Sequence, residues 1–263
     1  GLDKDSSYEA FAEYLNKEQN DFLLLVVLDR QENTCTALPL NRDTMTRVWQ
    51  LDVNGEPSTS RIEQLCLAHT YGSGGDESCE NTVRAVENLL FGQTIDHYAA
   101  LSMDAVPILA DLVGGVPVTI DTDMTAVDPR LIEGETVTLE GELALSYVRA
   151  RQIVSDGTNQ SRMARQERFL RSAWEAWKEK TASGDAVELG TDALVSLGER
   201  LRSDCTVQKL SRFLERIEQC ELTVLPAPAG EAKISEENIA EFYVDDDALE
   251  QTVLKLFYRE EIS

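Results

Sequence analysis

Apolar runs of strand length alternate with amphipathic helical stretches, and this predicts a mixed α/β fold for the 263-residue chain. Three observations carry the prediction. FLLLVVL (22–28) and TCTALPL (34–40) are separated by the polar DRQEN, a hairpin signal. HYAALSM (97–103), MDAVPILADLVGGV and VPVTI (116–120) read as strand, short helix and strand, with Gly114-Gly115 making the turn. Asn159 or Ser161 caps a long helix that runs to about Lys180, with Arg162, Arg165, Gln166 and Phe169 on one face.

The remaining elements follow in order. Tyr8, Phe11 and Tyr14 recur at helical spacing, and a loop reading of the same stretch stays open. If the hairpin loop spans 29–33, residue 22 pairs with 40, so Asp21 lies opposite Asn41 and beside Arg42. In NRDT, Asp43 and Thr44 are placed to cap or turn the chain, and Pro39 suggests a strand end or edge. Residues 63–92 read as an apolar segment, a glycine loop and an amphipathic helix that starts near Glu80 or Asn81 and stops at Gly92. The loop 72–75 lacks the lysine of a nucleotide loop and is flanked by Asp76, Glu77 and Glu80, so it reads as a structural turn. Asp121, Asp123 and Asp128 lack the glycine and terminal glutamate of a calcium loop and read as solvated. After a turn at Gly141 a helix runs through Tyr147 and Val148 and delivers Arg149 and Arg151 into the next loop. Beyond Thr181 come helices at 189–202 and 207–217, a strand in LTVLPAP, an acidic glycine turn and a last helix from about Asp245 to Tyr258.

Composition narrows the function classes. Hydrophobic residues make up 42% of the chain, and the formal charge of -24 argues against nonspecific binding to nucleic acid or to anionic lipid headgroups. The longest apolar run has seven residues, far short of the roughly 20 that span a bilayer. The chain opens at Gly1-Leu2-Asp3 without a lead-in segment, and the expectation is of an N-terminal anchor ahead of it. The five cysteines form no C-x-x-C, which argues against a zinc site. Cys66 and Cys79 flank a loop that would let them meet in a disulfide. Cys205 and Cys220 bracket a helix whose ends stand about 20 Å apart, against the ~5.5 Å that a disulfide needs. Cys35 reads as a buried strand thiol. His69 and His97 lie far apart in sequence, and no Ser/His/Asp set marks a hydrolase.

Against this acidic background, the stretch 147–171, YVRARQIVSDGTNQSRMARQERFLR, holds six arginines, two acids and no lysine. Guanidinium forks suit carboxylate or phosphate oxygens, so the stretch reads as an oxyanion site. Arg162 in a first helical turn opposes the helix dipole, which a bound anion would offset. Arg149, Arg151, Arg162, Arg165 and Gln166 fit one such site, while Arg168 and Arg171 read as a solvated face. Asp21 and Arg42, read alone, are either a strand-end salt bridge or a metal carboxylate beside a phosphate-binding arginine.

NRDTMTRV, GGVPVTI and YVRAR followed by SRMARQ, in this order and with this Asp21 to Arg42 spacing, make the chain similar to the LytR-CpsA-Psr family of cell-wall enzymes. The resemblance covers most of residues 1 to about 175. It implies a three-layer α/β/α sandwich around a mixed central sheet, with residues 1–180 as the catalytic domain and 181–263 as a helical and strand annex. It implies transfer of a glycopolymer from a polyprenyl-pyrophosphate carrier to a peptidoglycan hydroxyl through a phosphodiester. The setting implied is the extracellular face of the membrane of a Gram-positive-type bacterium, with Mg²⁺ as cofactor. By motif, Asp3 and Asp21 would be the metal carboxylates. Arg42, Arg149, Arg151, Arg162, Arg165 and Gln166 would hold the pyrophosphate, and Asp43 or Asp21 would accept the hydroxyl proton. The chain departs from the family where Gln19 replaces an arginine two before the metal aspartate and where Lys4 and Asp5 follow the first aspartate. That departure keeps a non-catalytic binder of polyprenyl phosphate or anionic polymer in view, together with a pyrophosphate phosphatase.

Overall fold

The computed structural model describes residues 18–150, 159–182 and 186–258. Asp3, the Tyr8-Phe11-Tyr14 pattern and Arg151 lie outside them. In chain order the strands are β1 (Leu23–Asp29), β2 (Thr34–Leu40), β3 (Met45–Leu51), β4 (Pro57–Gln64), β5 (Ala99–Leu101), β6 (Val116–Thr119), β7 (Thr136–Leu139), β8 (Leu201–Ser203), β9 (Glu221–Val224), β10 (Gly230–Ile234) and β11 (Ala240–Val244). The helices are α1 (Asp76–Leu89), α2 (Ala105–Leu112), α3 (Gly141–Arg149), α4 (Asn159–Thr181), α5 (Ala186–Leu197), α6 (Val207–Glu218) and α7 (Asp246–Phe257). The α/β class predicted from the residues holds. Among the described residues no helix is long and apolar enough to cross a membrane.

The chain divides into two compact units, the first of Gly1–Val27, Thr36–Tyr98 and Val224–Ser263, the second of Leu28–Cys35 and Ala99–Thr223. The β1-β2 hairpin is found where the apolar runs place it, in a three-stranded sheet of order β1-β2-β9. Its turn closes at Asn33 with φ 56°, a conformation that asparagine tolerates. Pro39 stands next to the last residue of β2, as the strand-end reading requires.

In the first unit, Leu25, Leu38, Leu40 and Val48 pack with Leu65, Val86, Leu90, Leu249 and Val253. Two hairpins went unread in the sequence. β3 and β4 pair antiparallel from Met45↔Gln64 onward, and β10 pairs with β11 from Gly230↔Val244. The α1 helix starts at Asp76, behind Gly75, and not at Glu80 or Asn81. Asp76 and Glu77 complement its dipole. Asn81 is a buried strut whose Nδ2 donates to the carbonyls of Trp49 and Ala68, each at 2.8 Å. Gly92 stops the helix as predicted, with φ 83° and its amide on the Glu87 carbonyl at 2.7 Å. The glycine loop is structural: the Ser73 amide donates to Glu77 Oε1 at 2.8 Å and the Gly74 amide to Ser78 Oγ at 3.1 Å.

In the second unit, Val116, Val118, Ile120, Leu131, Leu139, Leu143 and Tyr147 form a buried cluster from β6, β7, the segment between them and α3. β6 and β7 pair antiparallel from Val116↔Leu139. A smaller cluster joins Ala105 of α2 to Leu194 and Leu197 of α5. The predicted helix at 189–202 ends earlier, at Leu197, and its tail forms β8, which pairs with β5 through Ala100↔Arg202.

All five cysteines are free thiols, so neither pairing considered from the sequence forms. Cys79 Sγ lies 3.8 Å from His69 Nε2, and Cys220 Sγ donates to the Arg216 carbonyl at 3.1 Å. Cys35 is fully buried, as expected, and burial with the nearby Cys220 thiol pushes its pKa up to about 11.

Two predictions follow from this packing. Folded Cys35 keeps its proton after the unfolded thiol has lost its own. Its contribution to stability is therefore complete below about pH 9 and is lost as pH rises through about 11. Urea midpoints measured from pH 8 to 11 should fall over that window, and Cys35→Ala should flatten the fall. Gly114 and Gly115 have φ 82° and 92°, and a Cβ on Gly115 would overlap the Thr138 methyl, whereas Gly114 faces open space. Gly114→Ala should cost about 1 kcal/mol and Gly115→Ala about 2–3 kcal/mol by thermal unfolding.

Candidate functional site

The candidate residues fall into two groups, one in each unit. In the first unit a tight turn follows β2. Asn41 Oδ1 accepts from the Asp43 amide at 2.9 Å, and the Asn41 carbonyl accepts from the Thr44 amide at 3.1 Å. The turn that was expected from Asp43 and Thr44 is thus made by Asn41. Arg42 and Asp43 are 8% and 6% exposed. A buried guanidinium must be surrounded by acceptors. Arg42 Nη1 donates to Asp21 Oδ1 at 2.6 Å, Nη2 donates to Gln19 Oε1, and Nε stands 3.6 Å from Asp43 Oδ1.

The sequence-predicted meeting of Asp21 and Arg42 at the hairpin base is therefore present. Gln19, read as a lost arginine, holds the second terminal nitrogen of Arg42. The segment that carries both is tied down by Asn20, whose amide donates to the Cys66 carbonyl at 3.2 Å and whose Nδ2 donates to Thr82 Oγ1 at 3.1 Å. The Cys66 amide returns to the Arg42 carbonyl at 2.9 Å. Burial pushes the Cys66 thiol up in pKa, and the Arg42 side chain opposes that rise. Gln64 was missed from sequence: its Nε2 donates to Asp43 Oδ1 at 3.3 Å and to the Ala240 carbonyl. One guanidinium between two carboxylates leaves a net negative centre of hard oxygen donors, of which Asp21, with its side chain 36% exposed, is the more open. Such a set fits Mg²⁺, which takes one or two carboxylates and fills its other positions with water and phosphate oxygens.

In the second unit α3 ends at Arg149, which is exposed. Ala150 leaves the helix at φ -54°, ψ 133°, with its amide still on the Ser146 carbonyl at 3.1 Å. The predicted shared face of α4 is present, with Arg162, Arg165 and Gln166 buried and Phe169 packed on the core. Arg162 Nη2 donates to Asn159 Oδ1 at 2.8 Å, one turn back on α4. Arg165 Nη2 donates to the Ala150 carbonyl, and Gln166 Nε2 to the Val148 carbonyl at 3.3 Å. Arg168 is not simply solvated: Nη1 donates to the Tyr147 hydroxyl at 3.3 Å and Nη2 to Asp121 Oδ2 at 2.6 Å. Asp121 thereby leaves the solvated set, whereas Asp128 pairs with Arg130 at 2.8 Å on the surface. Arg171 pairs with Glu167 at 2.8 Å on the exposed face, as predicted. Tyr147, which the motif contains but the reading used only as a core residue, is fully buried, and burial raises its pKa.

The α/β fold is shared with solved proteins over nearly the whole chain. It superposes on the crystal structure of Bacillus subtilis TagV with a TM-score of 0.67 at 22% identity, covering 93% of this chain and 91% of that one. A structure of TagT bound to LIIa-WTA gives a TM-score of 0.69 at 20% identity over 90% of this chain and 84% of that one. The LytR_cpsA_psr family description matches residues 1–256, and the chain belongs to the LytR-CpsA-Psr family. A polyisoprenyl-teichoic acid--peptidoglycan teichoic acid transferase, TagU of Bacillus mycoides, is 25% identical over 92% of this chain and 73% of its own length. The cell wall biosynthesis protein LcpA of Corynebacterium glutamicum is 29% identical over 59% of this chain and 32% of its own.

The geometry around Arg42 gives a stability prediction. Arg42→Met leaves Asp43 buried without its cation and should cost about 2–4 kcal/mol in urea unfolding. Arg42→Lys should recover only part of this, because one ammonium cannot reach three acceptors held by a planar fork.

Proposed function

We propose that this chain is a phosphotransferase that moves a phosphate-linked glycopolymer from a polyprenyl-pyrophosphate carrier to a peptidoglycan hydroxyl. The hydroxyl oxygen forms a bond to the phosphorus that carries the glycopolymer. The bridging P–O bond of the pyrophosphate breaks, and polyprenyl phosphate leaves with that electron pair. Family membership over residues 1–256 and the names of the TagU and LcpA relatives support the reaction class. The observation that carries the reading in this chain is the support given to its motif arginines. Arg42 is fixed by Asp21, Gln19 and Asp43, and exposed Arg149 stands at the end of a helix that α4 holds in place.

Arg42, Arg149, Arg151, Arg162 and Gln166 serve the donor phosphates, and Arg165 supports them from α4. Asp3 and Asp21 would hold Mg²⁺, which would neutralise phosphate charge when bound. The proton of the attacking hydroxyl passes to a carboxylate at Arg42. Asp43, held by Gln64 Nε2 at 3.3 Å, and Asp21 are the two candidates for that acceptor. The same reading puts the chain on the extracellular face of the membrane of a Gram-positive-type bacterium, tethered by an N-terminal anchor, where the peptidoglycan acceptor is found.

The test uses polyprenyl-pyrophosphate-linked glycan, peptidoglycan and Mg²⁺ with the purified chain. Arg149→Ala and Arg151→Ala should each lower transfer by about 100-fold or more. Removing exposed Arg149 should leave the melting temperature nearly unchanged. Chelation should stop turnover, and readdition of Mg²⁺ should restore it. Full transfer by both variants would remove these arginines from the site, and release to water alone would make the chain a phosphatase.

A further inference from the structure

Three α4 side chains reach the last turn of α3 and its C-cap residue. Arg168 bonds the Tyr147 hydroxyl, Gln166 the Val148 carbonyl and Arg165 the Ala150 carbonyl. The last carbonyls of a helix have no partner within it, and they carry the negative end of its dipole. A guanidinium on such a carbonyl answers both demands at once. Arg165 is 3% exposed and Gln166 is 6% exposed, so these bonds form away from competing water. Ala150 sits between Arg149 and Arg151 in YVRAR, and it is the residue at which the backbone turns out of the helix. Whatever fixes its carbonyl steadies the end of the helix that presents Arg149.

We infer that Arg165 is a positioning residue that sets the Arg149-Ala150 backbone at the end of α3 through the Ala150 carbonyl, with Arg168 bracing the same turn through Tyr147. Arg165 therefore acts on the phosphates through Arg149 and does not itself contact them. A guanidinium whose backbone is pinned loses less freedom on gripping an anion, and its grip is stronger by that difference. The inference rests on the reading of Arg149 as a phosphate ligand, but its structural half is testable without it.

The first measurement is amide hydrogen exchange at residues 146–150 in the wild type, Arg165→Gln and Arg165→Lys, each checked for an intact melting transition. Arg165→Gln should speed exchange of the Ala150 amide by about tenfold, and Arg165→Lys, which keeps a cationic donor, should restore much of the protection. Unchanged exchange in Arg165→Gln overturns the inference. If Arg165→Gln does not fold, the same comparison with Arg168→Gln decides, because loss of the Tyr147 bond should loosen the same amides.

The second measurement is inorganic pyrophosphate binding by the wild type, Arg149→Ala, Arg165→Gln and the double variant. Positioning through Arg149 predicts that the double variant binds about as weakly as Arg149→Ala alone. Losses that multiply mean direct contact by Arg165 and overturn the inference. A wild type that binds no pyrophosphate removes the phosphate reading itself, and the exchange result then stands alone.

Discussion

A buried guanidinium must be surrounded by oxygen acceptors, and that single requirement shapes the neighbourhood of the motif arginines in both units. Around Arg42 it draws in residues from two parts of the sequence: Gln19 and Asp21 ahead of β1, and Asp43 from the turn after β2. Around Arg165 it draws in the end of α3. The acceptors differ in kind. Arg42 meets two carboxylates and an amide oxygen, which leave a negative centre suited to a metal ion. Arg165 meets a main-chain carbonyl at the end of the helix that presents exposed Arg149.

The two arrangements do complementary work in the proposed chemistry. Phosphoryl transfer asks a protein mainly for positioning and charge neutralisation. A cation surrounded by fixed acceptors loses little order when a ligand arrives, so the energy of ligand binding is not spent on immobilising it. The substitution at Gln19 fits this logic. An arginine there would add charge, whereas glutamine offers Oε1 to Arg42 and so contributes to the rigidity of the one guanidinium already present.

Much of this was legible in the sequence, and what was not has physical causes. The β1-β2 hairpin shows as two apolar runs around a polar loop, and β6, α3 and α4 show apolar periodicity because each buries one face. β4 and β10 are polar and mostly exposed, so they carry no period, and the turn glycine after Asn54 was the only local cue to the β3-β4 hairpin. The start of α1 was placed four or five residues late because its first turn is acidic and buries little apolar surface, its stabilisation coming from the helix dipole. At the site, residue types were readable and partners were not. The Asp21–Arg42 pair followed from hairpin register, which is a local rule. The bonds from Arg165 and Gln166 to main-chain carbonyls have no sequence signature, since every residue offers the same acceptor. Arg168 was taken for a surface charge because Asp121 and Tyr147 are distant in sequence.

The central claim is that Arg149, presented by the braced end of α3, grips the phosphates of a polyprenyl-pyrophosphate donor. A crystal structure of the chain with polyprenyl pyrophosphate and Mg²⁺ tests it most directly. The account predicts phosphate oxygens within hydrogen-bond distance of the Arg149 guanidinium, with Arg165 still on the Ala150 carbonyl. A pyrophosphate bound away from Arg149 would contradict it.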